Sequence, residues 1–147
     1  MSKQFTYLLR VRYAECDAQQ VVFNAKYVEY IDVAITEYFR LLWGNYTTIL
    51  QRGLDTQVVN VNVSWKAPAH FDDILALTIQ LKKIGTTSFT YTIGFTNYKT
   101  KKVLAIGEIT YVMVSLKEHQ KTPIPLDVRQ QLEAGVKGIT NHAGIEI

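Results

Sequence analysis

A chain of 147 residues, 48% hydrophobic and 20% charged, has the apolar mass for one ordinary core and too little charge density for a disordered segment. Its net charge of +3 is mild and dispersed, which leaves a nucleic-acid partner without support, and the single cysteine, Cys16, excludes an internal disulfide framework. No run approaches the ~18 apolar residues of a membrane span and Met1 to Tyr13 lack the apolar stretch of a secretory signal, so residues 1–147 read as one cytoplasmic domain.

The first element is a strand. Phe5, Tyr7, Leu9, Val11 and Tyr13 fall on one face and Thr6, Arg10 and Arg12 on the other, and period two marks a strand with one buried side. The period fails from Tyr13 to Asn24, a polar loop holding Glu15, Cys16, Asp17, Gln19 and Gln20. Steps of three and four then run through Tyr27, Val28, Ile31, Ala34, Ile35, Tyr38 and Leu42, one face of a helix. Asn24 suits the N-cap and Gly44 the stop, which predicts a helix of about 20 residues, roughly 30 Å long.

Four more strands follow. Val59, Val61, Val63 and Trp65 alternate with Val58, Asn60, Asn62 and Ser64; Leu75 to Leu81 and Phe89 to Phe95 repeat the pattern. The last strand runs from about Val103 to Leu116, with Gly107 a place for a bulge or bend. Short connections at Gly85-Thr86 and Thr100-Lys101 predict an antiparallel meander. Pro123 and Pro125 then break the chain before a short helix, Leu126 to Gly135. The order is that of an α+β domain, a five-stranded antiparallel sheet with a long helix on one face. The other face, with Asn60, Asn62, Thr78, Gln80, Thr90 and Thr92, is polar but poor in charge, and suits solvent and a second subunit equally.

Chemistry concentrates in the loop. Asp17 lies just ahead of a helix whose first N–H groups are unpaired, and a carboxylate beside such donors supplies a base or nucleophile and an oxyanion hole. On spacing alone, a turn-capping role is the stronger reading of Asp17. Cys16 reads as a packing residue, since neighbours in extended chain point apart and Asp17 is badly placed to serve as its base. His70, His119 and His142 are scattered without metal-ligand spacing, and no phosphate-binding glycine loop or serine elbow is present. Lys99, Lys101 and Lys102 read first as a solvated turn.

The run from Val11 to Tyr27, VRYAECDAQQVVFNAKY, resembles the signature loop of the 4-hydroxybenzoyl-CoA thioesterase family. So do Trp65 to Leu75, the Gly85-Thr86-Thr87-Ser88 turn and the proline-punctuated segment, in the right order along nearly the whole chain. The resemblance implies a hot-dog fold, in which the sheet wraps the long helix, and homodimers joined edge to edge and paired again into homotetramers. It implies an acyl-CoA thioesterase with Asp17 as the catalytic carboxylate, attacking the carbonyl or activating water, and the backbone N–H of Asn24 as the polarising donor. No cofactor is implied, coenzyme A entering as part of the substrate. Gln20 stands where the family usually has glycine, Cys16 where threonine is frequent, and Asn24 where histidine or tyrosine is common.

A thioester brought to the helix N-terminus would place a small or medium acyl group, aliphatic or aromatic, near Phe23 and Tyr27. Trp65, in an alternating strand, reads as core packing. Lys66, His70 and the Lys99 to Lys102 turn are the candidates for the phosphates of coenzyme A. Two other readings stay open: a catalytically quiet hot-dog module that binds acyl-CoA, and a thioesterase served by acyl carrier protein.

Overall fold

The computed structural model describes residues 4–147, so Met1 to Lys3 of the N-terminal stretch lie outside the described residues. Strand β1 (Phe5–Arg10) leads through a 3-10 turn (Tyr13–Glu15) and a loop to helix α1 (Lys26–Trp43) and the short helix α2 (Thr47–Gln51). Then come β2 (Leu54–Trp65), β3 (Ile74–Ile84), β4 (Ser88–Asn97), β5 (Val103–Ser115), β6 (Gln120–Lys121), α3 (Leu126–Ala134) and β7 (Gly138–Asn141). One sheet takes every strand, in the order β2-β5-β4-β3-β1-β7, with β6 beside β5.

The α+β plan is as expected, but the sheet has seven strands rather than five, and β7 runs parallel to β1. β6 has two residues and β7 four, too few for a period-two pattern to declare itself. Helix α1 has 18 residues and begins after Ala25, which gives no side-chain cap. Asn24 lies one residue too early to be the N-cap; its carbonyl accepts the Tyr27 N–H at 3.2 Å. Gly44, at φ +74°, ends the helix as the sequence suggests.

Helix α1 packs its aromatic face on the sheet. Tyr27 meets Phe95, Tyr38 meets Phe5 and Tyr91, and Phe39 meets Phe89, Tyr91 and Tyr111. Each such buried side chain contributes about 1.5–3 kcal/mol before its ordering cost. Val28, expected inward, is exposed, while Tyr30, Phe39 and Trp43 complete the buried stripe. Gly107 hosts no bulge: its register against β2 and β4 is unbroken. A Cβ there would meet Ile31 Cδ1 at 3.0 Å and the Asn62 carbonyl at 3.2 Å, so this glycine admits the helix against the sheet.

Phe5, Tyr7, Leu9 and Val11 are buried as the alternation predicts, but Leu8 on the other face is buried too, against Ile74, Ala76 and Ala143, so β1 has more than one covered side. The 3-10 turn then turns Tyr13 out to solvent. β2 ends the sheet on one side, and its Val58, Val59 and Trp65 are half exposed along that open edge. No helix among the described residues is long and apolar enough to cross a membrane.

Candidate active site

Between the 3-10 turn and α1 the chain makes a tight hairpin. Asp17 donates its N–H to the Val21 carbonyl (2.9 Å) and accepts at its own carbonyl from the Gln20 N–H (2.8 Å), leaving Ala18, Gln19 and Gln20 as the loop. A three-residue loop of this kind ends on a left-handed residue, and Gln20 takes that place at φ +67°. Glycine does so freely, whereas a side chain costs about 1–2 kcal/mol. Gln20 therefore keeps the turn that glycine would make, and stores strain in it. Asp17 Oδ1 accepts the Gln19 N–H at 2.8 Å, so the turn-capping role exists, and it uses one carboxylate oxygen. Asp17 itself is half-buried.

The returning arm runs into the helix. Val22 donates its N–H to Ala69 (2.8 Å) and Val21 bridges to His70, so the β2–β3 loop braces the hairpin. Phe23 donates to the Glu15 carbonyl at 2.9 Å, and the Lys26 and Tyr27 N–H groups close on Phe23 and Asn24. The N-terminus of α1 is thus partly satisfied by its own entry turn. Among the described residues the Asn24 N–H has no acceptor, and it stands at the positive end of the helix dipole.

Beneath the hairpin lies an acid that the sequence reading passed over. Glu15 is 8% exposed, and its carboxylate accepts the Arg12 backbone N–H (2.8 Å), the Arg12 guanidinium (3.0 and 3.2 Å) and the Tyr30 hydroxyl (2.9 Å). Burial alone would raise its pKa; these bonds outweigh burial and hold the carboxyl below its ordinary value. The Tyr30 hydroxyl is pushed up, by burial first and then by Glu15. An arginine three residues ahead of an acid at a loop entrance was the signal available in the sequence. Cys16 is pushed up too, by burial and then by Asp17, Glu15 and Asp73, which keeps it a thiol, as its packing role requires.

The other expected residues divide into two groups. Asn24, Tyr27 and Lys66 share a cavity of about 400 Å³ with Val21, Val22, Trp65, Ala67 and Pro68. Trp65 is half exposed there, edge-on to the buried Tyr27 ring at 5.8 Å, so the core-packing expectation for it fails: β2 is an edge strand and leaves its outer side uncovered. Asp17, Phe23 and His70 do not line this cavity. Phe23 is 47% exposed, and His70 donates its backbone N–H to the Asp73 carboxylate at 2.9 Å. The Lys99 to Lys102 turn lies at the same end of the sheet, since Leu104 accepts the N–H groups of Lys66 and Ala67. A larger cavity, about 780 Å³, runs along the other side of α1 between Tyr7, Arg10, Arg12 and Asp32, with each of its three cations paired to a nearby carboxylate. Among the described residues no three His, Cys, Asp or Glu side chains gather as a metal site requires.

The sequence matches the thioesterase-like superfamily over residues 11–132. It is 27% identical over 129 residues to the long-chain acyl-CoA thioesterase FadM of Escherichia coli, covering 88% of this chain and 97% of that protein. It is 28% identical over 94 residues to the 4-hydroxybenzoyl-CoA thioesterase of a Pseudomonas species, 60% of this chain and 65% of that one. The 1,4-dihydroxy-2-naphthoyl-CoA thioesterase of Synechocystis superposes with a TM-score of 0.79 at 21% identity, over 88% of this chain and 95% of that one. That last likeness establishes the hot-dog fold and nothing finer.

Proposed function

The chain belongs to the thioesterase-like superfamily and is a thioester hydrolase, and on that premise we propose that Asp17 and the Asn24 N–H cleave a small or medium acyl-CoA into free acid and coenzyme A. The observation that carries this reading is the pairing of a hairpin-held carboxylate with an unspent N–H at the head of α1. The ionised Asp17 either adds to the thioester carbonyl carbon or takes a proton from a water that adds there. In both routes the carbonyl oxygen gains negative charge, which the Asn24 N–H and the helix dipole stabilise. The C–S bond then breaks and the coenzyme A sulfur departs, as the thiolate in the first route and, in the second, taking back from Asp17 the proton that came from water. By the first route a water hydrolyses the resulting anhydride and restores the carboxylate. Since both routes need the carboxylate ionised, the rate falls at acid pH.

The cavity beside Asn24 suits the acyl group. Tyr27 and Trp65 give it aromatic walls, Val21, Val22, Ala67 and Pro68 apolar ones, and a volume of about 400 Å³ suits a compact chain or ring. Phe23, exposed at the turn into α1, borders the approach. Lys66 and the Lys99 to Lys102 turn supply positive charge for the coenzyme A phosphates, and the His70 ring offers a hydrogen-bonding group beside them. The open β2 edge, with Val58 and Val59 half exposed, is the kind that globular proteins cover. Edge-to-edge pairing of two copies there makes the dimer, and a second pairing the tetramer.

The test compares wild type with Asp17→Asn against aromatic, short and long acyl-CoAs, following release of free thiol. Asparagine still accepts the Gln19 N–H, so the turn survives while the charge is lost. A loss of about 10²-fold or more in the folded variant supports the assignment; equal rates remove it. Gln20 and Cys16, where the family more often has glycine and threonine, are the features that leave a quiet binding module open; the left-handed backbone of Gln20 shows that it keeps the turn glycine would make.

A further inference from the structure

Asp17 and the Asn24 N–H stand at the two arms of one hairpin, joined by backbone bonds from Asp17 to Val21 and from Phe23 to Glu15, and one buried side chain ties that hairpin to the body of α1. The Glu15 carbonyl holds the Phe23 N–H at 2.9 Å, one residue ahead of the donor. Its carboxylate, two residues before Asp17, takes the Tyr30 hydroxyl from the second turn of α1 and is clamped from the other side by the backbone and guanidinium of Arg12. The Glu15 side chain is 10% exposed and Tyr30 5%, whereas the Arg12 side chain is 82% exposed, so the inner hold on the acid is the Tyr30 hydroxyl and the Arg12 backbone N–H. We propose that Glu15, held by Tyr30 and Arg12, is a positioning residue for thioester hydrolysis, fixing the Asp17 hairpin in register with the oxyanion donor at the head of α1. The inference rests on the reading of Asp17 and Asn24 given above.

The chemistry explains why a carboxylate stands there. Four N–H and O–H donors converge on it, from the strand exit, the guanidinium and the helix, and a neutral amide can accept from only some of them while setting its own N–H against Arg12. The side chain thus ties the strand exit and the second turn of α1 to a hairpin whose own arms are joined by backbone bonds. A displacement of about 1 Å between reacting groups costs on the order of 10²-fold in rate, so a loosened tether shows in turnover before it shows in binding.

Glu15→Gln, Glu15→Ala and Tyr30→Phe are measured beside Asp17→Asn for kcat, KM, the pH profile and thermal unfolding. Tyr30→Phe removes only a hydroxyl and Glu15→Gln keeps shape, so both remain informative where Glu15→Ala fails to fold. The expected order of kcat is wild type, then Tyr30→Phe at about threefold lower, Glu15→Gln at about tenfold and Glu15→Ala at up to about 10²-fold, with KM held within about threefold and the acid limb of the profile unmoved. Folded Glu15→Gln and Tyr30→Phe proteins with wild-type kcat overturn the inference, as does a loss expressed in KM alone. An acid limb that vanishes in Glu15→Gln also overturns it, by making Glu15 itself the reacting carboxylate. If Asp17→Asn keeps full activity, it is the underlying site assignment that fails.

Discussion

At Asp17–Val21 and again at Asn97–Lys102 the chain reverses on a short polar side chain that caps its own loop. Asp17 Oδ1 accepts from Gln19, and Asn97 Oδ1 accepts from Lys99 and Thr100 at 3.0 Å. Both loops close through backbone bonds and both end on a left-handed residue with a full side chain, Gln20 at +67° and Lys101 at +66°. The second turn connects two strands and stands in water. The first runs on one side to buried Glu15 and on the other to α1, with its unspent N–H. Under the proposed function, what sets the two turns apart is what each is anchored to and whether its cap carries a charge.

Exchanging the caps breaks the comparison most sharply. Asp17→Asn and Asn97→Asp each preserve an accepting oxygen and so preserve each turn. Asp17→Asn is expected to lower kcat/KM by about 10²-fold or more, while Asn97→Asp leaves kcat unchanged, both read by thiol release. Equal effects at the two turns would place the chemistry elsewhere.

Charge on the second turn gives the next largest effect. Reversing Lys101 and Lys102 to glutamate is expected to raise KM for acyl-CoA about fivefold at low salt and much less at high salt, with kcat retained. Exposed lysines act over distance and are screened, whereas the role proposed for Asp17 is one of contact. A KM that ignores both the reversal and the salt would remove this turn from the coenzyme A path.

The buried anchor has its own signature. The Glu15 carboxyl is held below its ordinary value of 4.5, so it binds a proton less readily folded than unfolded. Its contribution to stability is complete above the unfolded value and is lost as pH falls through the lower folded one. Thermal melts taken from pH 6 down to pH 3 should therefore show a steeper loss in wild type than in Glu15→Gln. Parallel curves would mean that the acid is not stabilised by its partners.

How much of this stood in the sequence follows from range. Strand and helix periods are local, so β1 through β5, α1, α3 and the stop at Gly44 could be read, and the loop with Asp17 stood out because both periods fail there. What escaped depends on who covers whom. Trp65 looks like core until β2 is known to be an edge, and Gly107 looks like a bulge until Ile31 is seen 3.0 Å from its missing Cβ. The Glu15 tether joins two backbone N–H groups, a guanidinium and a hydroxyl fifteen residues on; the Arg12 spacing was legible, but nothing local marks the Tyr30 partner. Strands of two and four residues carry no period at all.

The smallest effect separates the two left-handed residues themselves. Glycine at position 20 relieves a backbone strain of about 1–2 kcal/mol but adds unfolded-state freedom worth about 0.4–1 kcal/mol, so Gln20→Gly is expected to stabilise by about 0.5–1 kcal/mol. Lys101 carries the same strain, yet its ammonium lies 4.3 Å from the centre of the Tyr98 ring. Losing that contact costs about 0.5–1 kcal/mol at an exposed site, so Lys101→Gly comes out near zero. Denaturant midpoints measured for both variants, and for Lys101→Gly with Tyr98→Leu, test the account. If Gln20→Gly does not stabilise, or if Lys101→Gly gains as much as it does, the left-handed strain is not what distinguishes these positions. A gain in stability at position 20 with a fall in kcat would mean that the strain itself helps to hold Asp17 where it reacts.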